Sequence, residues 1–225
     1  MYDAVFSLGS NCEPAHQLRR NGIWHNRGPF DWMVTPFSSI LKVIQDDGRA
    51  LGNSFTSAYN GTKAASQEYG CVYFHEFPPT EDGRGFIFNA EIERACKSKM
   101  QHKWSTLKTA CEAPGKVLFI RFRSVTDVPG DEIAAGKKFG FRDLNALCDV
   151  IATRFPALEF DLLYIHGDNP IFDIVQTDDT LDPRVTIRSL ELAGGDSGNG
   201  ADEAWDDIYR EFGLIPAATP ASIAI

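Results

Sequence analysis

Phe6-Ser-Leu-Gly-Ser-Asn-Cys-Glu-Pro-Ala-His-Gln-Leu-Arg-Arg20 reads as the end of a short buried strand (4–8), a tight polar turn of Gly9, Ser10 and Asn11, and an immediate helix (13–21). Asn11 suits the N-cap, Pro14 is tolerated only in a first turn, and Gly22 is a suitable stop. Cys12 falls at the first turn of that helix. A thiol there feels the positive end of the macrodipole and nearby unpaired N–H groups, both of which favour thiolate, the nucleophilic form. The competing reading is a small buried apolar residue, the usual fate of an unpaired cysteine.

Outward from this unit, apolar runs alternate with helical patterns. Strands are expected at 71–77, with 85–88 as its pairing partner, and at 116–122 (Lys-Val-Leu-Phe-Ile-Arg-Phe), 160–166 and 185–192. Helical spacing of apolar residues marks 38–47, 90–111, 142–155 and 202–212. Continuous apolar strands alternating with helices after residue 115 imply an α/β fold in a single domain, with a mainly parallel sheet and helices on both faces. Residues 1–215 form that domain, and 216–225 a flexible or peripheral tail. In such sheets the functional crevice lies beyond the carboxyl ends of the strands. By this order, residues 9–12, 74–78, 121–123 and 166–169 converge on one edge.

The 225 residues are 43% hydrophobic and carry a net charge of −9, enough for one sizeable core and a poor match to nucleic acid or an anionic membrane surface. The N-terminus lacks the basic and apolar regions of a signal peptide, and no run has the length of a membrane span. Five cysteines (Cys12, Cys71, Cys96, Cys111, Cys148) are an odd number without a CxxC pair, which suits reduced thiols in a cytoplasm. No cofactor is implied. Cys71 and His75 share a strand face but lack further obvious ligands, so no metal site is expected. Glycine-rich 194–200 reads as a solvated loop.

Several motifs resemble one known family. Ser7-Leu-Gly-Ser-Asn-Cys12, then Leu18-Arg-Arg20 and Gly22, then Gly28-Pro-Phe-Asp-Trp32, are similar to the signature of a bacterial family of unknown function that carries the label papain-like cysteine peptidase. Phe74-His-Glu-Phe77, the strand Val117-Leu-Phe-Ile-Arg121 and Trp205 are similar to its later blocks. The resemblance implies a cysteine hydrolase acting on a small-molecule or peptide substrate, with Cys12 as nucleophile and His75 as general base. Asn89 or Asp31 would orient the imidazole, Asn89 matching the Cys–His–Asn chain order of papain-type sites. Backbone N–H groups of the Cys12 turn are the expected oxyanion donors.

The residues leave alternatives open. His166, at a strand end with Asp168 beside it, competes with His75 as the base, and that chain order resembles the α/β-hydrolase arrangement. His75 reads equally as a buried histidine in a strand. Gly28-Pro-Phe-Asp-Trp32 is either a loop anchored by Phe30 and Trp32 and closed by Asp31, or a wall of the site with Asp31 meeting His75 or a substrate cation. Substrate contacts are expected from Ser10, Asn11, Arg19, Asp31, Trp32 and Arg121, with Arg19 and Arg121 as an anion pair if both face the crevice. A second function class is a carbohydrate- or nucleotide-related binding or transferase domain, in which Cys12 merely packs beneath the ligand.

Overall fold

A computed structural model describes residues 1–23, 25–123, 139–167, 179–190 and 202–217. The elements run β1 (Ala4–Ser7), α1 (Glu13–Arg20), β2 (Met33–Val34), α2 (Phe37–Gln45), β3 (Phe55–Ala58), β4 (Lys63–Ser66), β5 (Val72–Tyr73), α3 (Ala90–Glu112), β6 (Lys116–Phe122), α4 (Phe141–Arg154), β7 (Glu159–Gly167), β8 (Val185–Leu190) and α5 (Asp202–Glu211). Four strands form a sheet in the order β1-β6-β7-β8. Every pairing in it is parallel, with Phe6 opposite Phe119, Phe119 opposite Leu162, and Leu163 opposite Thr186.

The central strands β6 and β7 show why this sheet forms. Their apolar residues are continuous, and the two-residue period divides them between two clusters. Val117, Phe119, Leu162 and Tyr164 join Leu144, Leu147 and Ile151 of α4. Leu118, Ile120, Leu163 and Ile165 join Leu18 of α1 and Trp205, Ile208 and Tyr209 of α5. Each such side chain contributes about 1.5–3 kcal/mol on burial, against the conformational entropy of ordering it.

The parallel sheet matches the expectation, but half of the described strands belong elsewhere. β2-β5-β4-β3 form a separate antiparallel sheet, which the α/β reading did not include. It shares a core with the first: Met33, Ala64 and Tyr73 lie in the same cluster as Phe6 and Phe119. The expected strand 71–77 is shorter than its apolar run, because only Val72 and Tyr73 pair. Phe77 leaves the ladder to pack against Phe55, Tyr73 and Phe86 at 4.8, 6.2 and 5.7 Å between ring centroids. Residues 85–88 accordingly do not pair with 71–77; Phe86 bridges Pro79 instead. Among the described residues, no helix is long and apolar enough to cross a membrane. The glycine-rich stretch 194–200 lies outside the described residues, as does the tail beyond residue 217.

Candidate active site

The turn after β1 sets the position of Cys12. Leu8 N–H continues the parallel ladder by donating to Ile120 O at 2.7 Å. The chain then reverses through Gly9 (φ +72) and Ser10 (φ +103). A Cβ on Gly9 would stand 2.9 Å from Phe30 O, so both the left-handed backbone and the close approach of the next loop require glycine. Cys12 is the N-cap of α1 with helical dihedrals, and Asn11 Oδ1 accepts from Glu13 N–H at 2.9 Å. The capping oxygen therefore comes from the residue before the cap.

Arg121 clamps this turn from below. It is fully buried at 0% exposure, and it donates through Nη1 to Leu8 O and through Nη2 to Thr35 O, both at 2.9 Å. Thr35 N–H in turn donates to Ser10 O at 3.0 Å, tying the Cys12 turn to the end of β2. Here two expectations are corrected. Arg121 does not face a crevice with Arg19, because two carbonyls draw its guanidinium into the core; Arg19 stays exposed on α1. Ser10 is likewise fully buried, at 0%, beneath the turn rather than in the cleft.

The antiparallel sheet brings the second half of the site. Met33 pairs with Tyr73 and Val34 with Val72, so Trp32, just before β2, and Phe74, just after β5, come to the same end of the strand pair. His75 follows and is exposed, not buried in a strand. Its Nε2 lies 3.8 Å from Cys12 Sγ, within reach for a sulfur hydrogen bond in an unliganded site. Trp32 meets the imidazole edge-on at 6.1 Å and 85°. Glu76 holds this segment to α3 through an ion pair with Lys99 at 2.8 Å. Behind it, Lys103 of α3 is buried, which pushes its ammonium down, while the charges of Asp31 and Glu76 oppose that shift.

Asn11, Cys12, Glu13, His16, Trp32, Val34, Phe74 and His75 line one cleft of ≈ 470 Å³. Glu13, His16 and Val34 join the site without a mark in the sequence motifs, whereas Phe74 enters with the 74–78 segment expected at this edge. The signal for His16 was its offset of four from Cys12, which puts both on one helix face. Electrostatics run against the simple helix-terminus expectation. Burial pushes the Cys12 thiol up, and the neighbouring Glu13 carboxylate adds to the rise. Burial also raises Glu13 itself, although Gln17 Nε2 donates to it at 3.0 Å. Cys71, Cys96, Cys111 and Cys148 are buried, and burial pushes each up to about 12. Cys12 alone among the five thiols is partly exposed.

The remaining expected residues sit as follows. Asp31 is buried, and its Oδ2 accepts from Gly28 N–H at 2.9 Å, the loop-closing contact weighed for it. Phe30 anchors that loop in the core, whereas Trp32 stands partly exposed in the cleft. Asn89 is the N-cap of α3, where Oδ1 accepts from Glu91 N–H and Ile92 N–H at 3.0 and 2.9 Å. His166 is half-buried at the end of β7, its Nδ1 2.9 Å from Gly167 O. Asp168 lies outside the described residues. Among the described residues, no group of three His, Cys, Asp or Glu is arranged to hold a metal ion.

No curated protein and no solved structure matches the chain. The family match is confined to the N-terminal segment that carries the Cys12 turn and the Pro-Phe-Asp-Trp loop, and it stops short of His75. Residues 3–57 match the model of the family described as "Putative papain-like cysteine peptidase (DUF1796)", the one that the sequence motifs resemble.

Proposed function

We propose that the protein is a cysteine-dependent hydrolase or acyl-transferase that cleaves an amide or ester, with Cys12 as nucleophile and His75 as general base. The observation that carries this reading is the 3.8 Å separation of Cys12 Sγ and His75 Nε2 in an open cleft. His75 Nε2 takes the thiol proton as Sγ attacks the substrate carbonyl carbon. The resulting imidazolium returns that proton to the departing amine or alkoxide, leaving a thioester on Cys12. Water then attacks the thioester, His75 accepts its proton, and the carboxylic acid leaves as the thiol is restored. A raised thiol suits a proton transfer that accompanies attack better than a resting ion pair.

Glu13 N–H already bonds Asn11 Oδ1, and Pro14 has no N–H, so the Cys12 turn has few backbone donors for an oxyanion. The same bond orients the Asn11 carboxamide, which leaves Nδ2 as a donor at the cleft. We assign it, with Cys12 N–H, to the developing oxyanion. Five free cysteines suit a reducing compartment such as the cytoplasm.

One observation favours the second reading, a non-covalent binding or transferase domain: burial and Glu13 both disfavour the Cys12 thiolate. Alkylation of Cys12 as a function of pH, followed by mass spectrometry, separates the two. The hydrolase reading expects fast modification that slows at least about tenfold in His75→Ala. A slow Cys12 indifferent to His75 would favour the binding domain.

A further inference from the structure

The wall of the cleft facing Cys12 carries more aromatic surface than the dyad itself uses. Trp32 and Phe74 stand at the same end of the β2–β5 pair, and Val34 lies beside them in the cleft. Tyr59, in the turn between β3 and β4, extends this wall outward. Its ring meets Phe74 edge-on at 5.2 Å, yet it is 52% exposed. Both Trp32 (φ +64) and Tyr59 (φ +51) hold left-handed backbone, a conformation that bulky side chains rarely adopt and that clusters at functional sites. Trp32 thus presents its ring to the cleft from a left-handed position, and Tyr59, from the β3–β4 turn, backs the same wall through Phe74.

Charge narrows what can lie there. Lys63 Nζ sits 5.0 Å above the Phe74 ring, so a cationic group against that wall meets like charge. Glu13, on the helix that follows Cys12, also lines the cleft, and its buried carboxyl, next in sequence to Cys12, disfavours an anionic group close to the thiol. We propose that the cleft selects an aromatic or branched apolar group attached directly to the scissile carbonyl, seated on Trp32, Val34 and Phe74 with Tyr59 at its outer end. This rests on the hydrolase reading and names the substrate class for it: amides or esters of apolar and aromatic acids. Discrimination by apolar contact amounts to about tenfold or more per group filled.

The test uses N-acetylated amino-acid chloromethyl ketones carrying Phe, Leu, Gly, Lys or Glu side chains, with iodoacetamide as a side-chain-free control. In each ketone the Cys12 sulfur forms a bond to the methylene carbon, chloride leaves, and the thiol proton passes to His75. Phe and Leu reagents are expected to label Cys12 at least about tenfold faster than Gly, Lys or Glu reagents. Tyr59→Asn, which suits left-handed backbone on an exposed turn, should reduce the Phe advantage over the Gly reagent severalfold, and an undiminished advantage would remove Tyr59 from the subsite. Equal rates across the series, or a Lys or Glu reagent fastest, would overturn the apolar subsite even if iodoacetamide labelling depends on His75 and the dyad stands. Should labelling prove indifferent to His75, the dyad reading fails instead. Binding to Cys12→Ala protein, followed by tryptophan fluorescence, then decides the subsite. N-acetylphenylalaninamide binding more tightly than N-acetylglycinamide upholds it, and equal binding overturns it.

Discussion

Replacing Arg121 with methionine removes the clamp beneath the nucleophile turn while keeping a long apolar stem in its place. The guanidinium donates to Leu8 O and Thr35 O, both at 2.9 Å, in a fully buried position. Hydrogen bonds to a charged donor contribute about 1.5–3 kcal/mol each, so two amount to about 3–6 kcal/mol. Relief of a buried charge and the apolar stem offset part of this. A net loss of about 3 kcal/mol lowers Tm by about 6–12 °C in a chain of this size. The same change frees Leu8 O and Thr35 O, and Thr35 also holds Ser10. His75-dependent alkylation of Cys12 should therefore slow as well, measured at a temperature where the variant stays folded. Arg121→Lys should fall between the two, since one ammonium cannot reproduce the planar fork. Melting within about 1 °C of the parent, together with an unchanged alkylation rate, would refute the clamp.

Cys12→Ala should leave thermal unfolding within about 1 kcal/mol of the parent, because the side chain is only partly buried, and should abolish hydrolysis; retained turnover in a purified sample would rule out a thioester route. Glu13→Gln removes the carboxylate that helps push the Cys12 thiol up, so the alkylation profile should move to lower pH, and a shift to higher pH would contradict the assigned cause. Burial raises the folded-state pKa of Glu13 itself, so the fold binds its proton more tightly than the unfolded chain does. Glu13 therefore adds stability below its unfolded pKa and loses it as pH rises through the folded value; urea unfolding of Glu13→Gln should show a flatter dependence across that acidic window. Asn89→Ala should cost about 1 kcal/mol through the lost cap on α3 and leave Cys12 alkylation unaltered. A drop matching His75→Ala would instead make Asn89 the group that orients the imidazole.

What the sequence makes legible follows element length and apolar continuity. Lys116–Phe122 and the helix Phe141–Arg154 are readable because long apolar patterns end at glycine or proline nearby. The antiparallel sheet is not readable, because its strands have two to four residues and β3 and β4 are mostly small or polar, Phe-Thr-Ser-Ala and Lys-Ala-Ala-Ser. Tertiary packing, with Phe77 among its aromatic neighbours, decides where β5 stops. In the site, the pairing of Cys12 with His75 is expected only through the family resemblance, because the residue types alone leave His166 as a competing base and His75 equally a buried strand histidine. Arg121 looks the same in sequence whether it serves a ligand or two carbonyls, and only the fold shows that Leu8 and Thr35 claim it.

Among the described strands, β1 is the outermost of the parallel sheet and pairs with β6 alone. The proposed nucleophile thus rides on an edge strand, whereas β7 is flanked on both sides. Partial opening of that one seam would carry Cys12 away from His75 while β6, β7 and β8 remain joined. Loss of function on warming and loss of the fold then become two separate events. An inactivation curve should run ahead of the calorimetric transition, with the earliest exchange of amide hydrogens along residues 4–8.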